Sequence, residues 1–190
     1  MAWKDALDSL FGKTTLPRAT IDNLFSIATA SVTMQGAMNL NPSKTAGLCF
    51  KPIESSTYDT ARTEIEELLE LSSRETKTGY RIITDAYRFT WVLLEDPDFD
   101  DLVTGIHLVS QTLIERGFGS YLLCAVFRFE HEKPVYWIYN FKQGRYYPFV
   151  PLPDQKRDNA AEFRIKSLLE KELPIQKETG LWYPLWGIPV

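Results

Sequence analysis

Four side chains in this 190-residue chain are chemically versatile enough to suggest a reactive centre: Cys49, Cys124, His107 and His131. Neither histidine has a Cys, His or carboxylate at a metal-ligand spacing, so zinc would require convergence of distant segments. Both cysteines sit in apolar runs, GLCF and YLLCAVF, where a free Cys serves as a small buried hydrophobe. They are expected to be buried, reduced and unpaired with metal. No Gly-x-Ser-x-Gly elbow and no recognisable Cys–His arrangement occurs. Ser43-Lys44-Thr45 superficially resembles a phosphate loop but lacks the glycine before the lysine and the preceding strand. Gly117-Phe118-Gly119-Ser120 follows a helical pattern, whereas a dinucleotide loop follows a strand. The carboxylates Glu95, Asp96, Asp98, Asp100 and Asp101 fall at an expected helix start, where they complement the helix dipole. The residues therefore point to a protein that is not an enzyme and needs no cofactor.

The elements that must position these groups alternate helix and strand signals. Trp3, Ala6, Leu7, Leu10 and Phe11 share one face of a short amphipathic helix ending at Gly12. A second helix is expected from Thr20, while 29–40 is ambiguous between strand and helix, with Asn41-Pro42-Ser43 as a turn. Residues 46–53 read as a strand. A helix over 56–72 is expected with Ser56 as its cap and Tyr58, Ala61, Ile65, Leu68 and Leu69 inward. Its Glu64, Glu66, Glu67 and Glu70 read as a solvated surface. Strands are expected at 80–83 and 87–94, joined by a turn at 84–86. Asp96-Pro97 opens a helix over 98–116 with Pro97 at the first helical position, stopped by Gly117. Three β-rich runs follow at 121–129, 134–141 and 146–150, the last two joined by a hairpin turn at 142–145. Asp158 caps a final helix over 157–172 whose face is Ala161, Ile165, Leu168 and Leu169. Hairpin-length gaps imply an α+β fold with a mainly antiparallel sheet packed against helices. The expected organisation is an N-terminal helix and linker (1–17), one α+β domain (18–176) and an aromatic tail (177–190).

A net charge of −4 argues against phosphate-backbone recognition, hence no nucleic-acid partner. Asp5 and Asp8 interrupt the apolar start that a signal peptide needs, and no run approaches the ~18 apolar residues of a membrane span. A cytoplasmic protein follows. The densest aromatic run is Trp182-Tyr183-Pro184-Leu185-Trp186. Such side chains carry binding energy when buried, so the run is either a plug over the protein's own core or an anchor for a partner. Trp3, Leu7, Leu10 and Phe11 pose the same choice, with a peripheral membrane contact as a third outlet.

Taken in order, LDSLFG, KTAGLCFKPI, YRFTWVLLED, DLVTGIHLVSQTLIERGFGSYLLC, YYPFVP, RDNAAEFRIKSLLEKELPI and WYPLWG resemble the PspAB family, proteins associated with phage shock protein A. The resemblance implies an accessory or adaptor role in the envelope-stress response. By that implication the partner is a PspA-like coiled coil or a membrane stress protease system of the HtpX type, which would bring the protein to the membrane through a partner. Without the helix at 56–72, the order α-βββ-α-ββ-α also resembles the secretion-chaperone-like fold of YbjN-type proteins, with that helix inserted. Such folds bind helical or extended segments of other proteins, often as homodimers. Two alternatives stay open: a small-ligand or catalytic site assembled around Cys49, Cys124 and His107, and a peripheral membrane sensor built on the N-terminal helix.

Overall fold

The structure, a computed structural model, describes residues 19–190. The expected N-terminal helix, with Trp3, Leu7, Leu10 and Phe11, lies outside the described residues. A helical turn (Ala19–Asp22) passes through a 3-10 turn (Asn23–Phe25) into helix α1 (Ser26–Met38). The ambiguous stretch 29–40 is therefore mostly helix. Ile27, Ala30 and Met34 form its buried stripe, whereas the strand-favouring Val32 is 69% exposed and packs on nothing that could reward an extended backbone. Asn39 ends the helix in a left-handed conformation (φ 51°), with the Leu40 amide returning to the Met34 carbonyl.

Strand β1 spans Asn41–Phe50, so the expected turn at Asn41-Pro42-Ser43 is instead a strand entrance. A break in register between Pro42 and Ala46 opposite its neighbour accommodates the proline and the extra residues. Helix α2 (Ser56–Thr76) begins one residue earlier than a Ser56 cap implies, because Ser55 is the cap and accepts a hydrogen bond from the Thr57 amide. Ala61, Ile65 and Leu69 face inward. Strands β2 (Gly79–Thr84) and β3 (Thr90–Glu95) follow. Their connection runs longer than three residues because the Asp85 carboxylate gathers the amides of Tyr87 and Phe89 and the Trp91 indole N–H.

Helix α3 (Phe99–Glu115) is capped by Asp98, which accepts from the Asp100 amide at 2.9 Å, so Pro97 lies before the cap instead of at the first helical position. Asp96 is buried; it accepts the Thr78 hydroxyl and the Asp98 amide, anchoring the loop. Gly117 adopts φ +85°, which ends the helix as expected. Strands β4 (Leu122–Glu130), β5 (Pro134–Asn140) and β6 (Arg145–Phe149) form a meander, then a two-stranded ribbon of β7 (Pro151–Leu152) and β8 (Lys156–Arg157) precedes helix α4 (Asn159–Leu169). Asp158 caps α4 through the Ala161 amide. Leu168, expected inward, is 49% exposed, because α4 turns Glu162, Ile165 and Leu169 to the protein.

The six-stranded sheet has the order β2-β3-β1-β4-β5-β6, and every neighbouring pair is antiparallel. The α+β expectation holds. Directly opposed residues share a face and alternate residues switch it, so the ladder divides the core into two layers. Ala46, Leu48, Val92, Leu94, Phe127 and Trp137 face the helices: Phe99 of α3 meets Phe127 and Phe129 edge-on at 5.8 and 5.2 Å, and Gly105 comes against Leu94. Helix α2 flanks α3, with Arg116 forking onto Glu64 at 2.6 and 2.9 Å. The opposite face carries Gly47, Cys49, Trp91, Cys124, Tyr147 and Phe149, and is covered by α4 and the C-terminal residues.

Candidate protein-binding surface

The C-terminal residues are built into the second layer by a chain of hydrogen bonds. Beyond α4, the Tyr146 amide donates to the Pro174 carbonyl and the Gln176 amide to the Tyr146 carbonyl, so Ile175 runs as a short parallel bridge along the β6 edge. That contact covers a strand edge that would otherwise invite pairing. The chain then crosses the sheet. The Trp182 indole N–H donates to the Gln176 carbonyl at 2.9 Å, and its ring lies nearly parallel to that of Tyr147. The Tyr147 hydroxyl donates to the Tyr183 carbonyl at 3.1 Å. Trp186 meets Phe149 edge-on at 5.0 Å, and Val190 rests against Gly47.

One guanidinium ties these pieces together. Arg157 donates through Nη1 to the Trp182 carbonyl at 2.7 Å, through Nη2 to the Pro148 carbonyl, and through Nε to both Glu162 oxygens at 3.0 Å. Glu162 is buried and also accepts the Val150 amide at 2.9 Å. Burial raises its carboxyl above the usual range, and the Val150 amide and Arg157 oppose that only in part. The planar fork suits Arg for this, since it satisfies two carbonyls and a carboxylate at once. Arg157 and Glu162 carry no recognisable signal in the sequence, because a five-residue separation across a turn and a cap matches no helical or strand period. Only the converging backbone carbonyls reveal the pair's role.

The aromatic run splits in two. Trp182 and Leu185 are buried and belong to the hydrophobic core, so they plug the protein's own sheet. Tyr183, Pro184 and Trp186 are half-buried and present their remaining area outward. Next to them α4 exposes Phe163, 47% accessible with its ring 5.8 Å from Trp182, while Leu168 is exposed on the other flank of the helix. Beyond α4 lies an open groove of about 540 Å³. Met38, Leu40, Val135, Val150 and Ile165 supply its apolar lining, and His131, Lys133, Asp158 and Arg164 its polar rim. The Asp158 carboxyl is held below its ordinary range by the Ala161 amide and by Lys133 at 3.2 Å. An apolar floor with a mixed-charge rim and adjacent aromatics has the make-up of a protein interface.

The residues with reactive potential are distributed differently. Cys49 and Cys124 are buried free thiols, directly opposite one another on β1 and β4. His107 lies across the sheet on α3, 4.4 Å from the Phe25 ring. Burial lowers its pKa, and Asp22 opposes the shift. A site joining all three is not formed. Among the described residues, no group of three or more His, Cys, Asp or Glu side chains is placed to hold a metal ion. Nor is any described helix long and apolar enough to cross a membrane. Of the glutamates read as solvated, Glu66 pairs with Arg62, Glu70 with Arg74 and Glu64 with Arg116 on the helix exterior.

No curated protein matches the chain, and no solved structure does. A family model described as PspA associated protein B matches residues 1–190. Spanning the whole chain, that match makes this protein a member of the PspAB family.

Proposed function

We propose that the protein is a non-enzymatic accessory of the PspA-type envelope-stress response, acting in the cytoplasm as an adaptor that binds a PspA-like coiled coil. The family match, whose description is association with PspA, carries this reading. The surface formed by Phe163, Tyr183, Pro184 and Trp186 supports it, since exposed apolar side chains beside a rigid aromatic layer suit the apolar stripe of a helix. A buried core behind the surface keeps it preorganised, which lowers the entropy lost on binding. By the same reading, recruitment to the membrane comes through the partner and not through a span of its own.

Titration calorimetry of the full chain with a purified PspA-type coiled coil tests this. The expected result is saturable binding that weakens about tenfold or more when Phe163 and Trp186 are both replaced by Ala, as for interface anchors. Absence of binding at high micromolar concentration, with and without lipid vesicles, would refute the adaptor reading. Light scattering on the same sample reads whether the chain also forms a homodimer.

A further inference from the structure

Cys49 and Cys124 are separated by 75 residues of sequence yet occupy directly opposed positions in the antiparallel β1–β4 ladder. Opposed residues have Cα atoms about 4.5–5.5 Å apart and side chains on one face. That span falls within the about 4.4–6.8 Å that a disulfide accepts, so the pair can be bridged without moving the strands. Both are free thiols.

The closed structure protects both thiols. Each is essentially inaccessible, and burial raises the Cys49 pKa, with Cys124 and Asp85 adding to the effect. On the sheet face that carries them packs the C-terminal segment: the Tyr147 hydroxyl pins the Tyr183 carbonyl, and Val190 rests against Gly47, two residues from Cys49 on β1. Access to the sulfurs therefore requires the segment held by Tyr147 and Arg157 to lift.

We propose that Cys49 and Cys124 form a reversible intramolecular disulfide site, gated by the C-terminal segment and reactive toward small disulfides. The Cys124 thiolate, once deprotonated, attacks one sulfur of the reagent. The reagent's S–S bond breaks, a mixed disulfide forms, and one small thiolate leaves. Cys49 then gives up its proton and attacks the Cys124 sulfur, forming the Cys49–Cys124 bond and releasing the second small thiolate. Two protein thiols are oxidised and one small disulfide is reduced to two thiols.

The test uses reduced full-length protein and dithiodipyridine, with absorbance reporting released thiopyridone and intact mass reporting the product. Two thiopyridones per chain, a mass lower by two hydrogens, and a dithiothreitol-reversible peptide joining Cys49 to Cys124 are expected. Cys49→Ser should release one thiopyridone and retain a stable adduct on Cys124. Tyr147→Phe removes one tether while keeping the ring, and should speed the reaction about fivefold, because a buried thiol reacts through its open population. Stable adducts on both cysteines, or failure to react even in Tyr147→Phe, would overturn the disulfide site. A bond that forms at the same rate in Tyr147→Phe and Arg157→Ala would overturn the gate.

Discussion

Replacing Trp182 with Ala tests whether the C-terminal segment is part of the folded core or an appendage to it. Trp182 is 4% exposed, stacks on Tyr147, and spends its indole N–H on the Gln176 carbonyl. Burying an aromatic side chain removes about 150–250 Å² from water, which at about 25 cal/mol per Å² sets an upper bound of roughly 4–6 kcal/mol. Truncation also strands the Gln176 carbonyl, at about 1 kcal/mol or more, while partial collapse of the layer recovers some of the loss. An effect of about 3–5 kcal/mol is expected, in line with Trp→Ala substitutions in cores. For a domain of this length each kcal/mol moves the midpoint by about 2–4 °C, so differential scanning calorimetry should show Tm falling by roughly 6–20 °C. Phe163→Ala is the internal control, because its ring is nearly half-exposed; its Tm should move by no more than a few degrees. A Trp182→Ala protein melting within about 2 °C of the parent would refute the reasoning. It would mean that the aromatic segment contributes nothing to the fold and that its burial is incidental.

Four further outcomes follow from the same geometry. Gly36 lies inside α1 with nothing within 4 Å of an added Cβ, so Gly36→Ala should raise stability by about 0.5–1 kcal/mol. Gly105 in α3 has Leu94 Cδ1 only 2.6 Å from that position, so Gly105→Ala should lose about 1 kcal/mol net, overpacking exceeding the gain in helix propensity; paired urea titrations read both. His107 has a lowered folded pKa, so the unfolded chain takes up its proton first. Its contribution to stability is full above the unfolded value of about 6.5 and is lost as pH falls through the folded pKa. His107→Gln should remove that part of the pH dependence in denaturation curves taken across this window. Arg157→Met strips the partner from a buried Glu162 and orphans the Trp182 carbonyl, and should cost about 3–5 kcal/mol, of which adding Glu162→Gln restores a part. Strictly additive losses in that double-mutant cycle would show that the two side chains do not act together.

The sequence by itself indicated the family and, among the described residues, most of the elements. Short-range signals sufficed where one residue controls one hydrogen bond: Asp158 at the start of α4, Gly117 at the end of α3, and the helical stripe Ala61, Ile65, Leu69 all act within a turn or two of chain. They failed where packing overrides local preference. Val32 and Thr33 favour a strand but lie in a helix, Pro42 sits in a strand, and Leu168 faces water although its spacing matched the buried face. Only the tertiary structure decided what lies opposite what. Register in a sheet is selected by the sum of side-chain contacts on both faces, so nothing local to GLCF or YLLCAVF could reveal that Cys49 meets Cys124 while His107 stays on the far side of the sheet. The same holds for the C-terminal run. Its composition announced an aromatic anchor, but the division into Trp182 and Leu185 within and Tyr183, Pro184 and Trp186 at the surface depends on Arg157, Glu162 and Tyr147. Those three side chains converge from β8, α4 and β6, where only folding brings their donors and acceptors within reach.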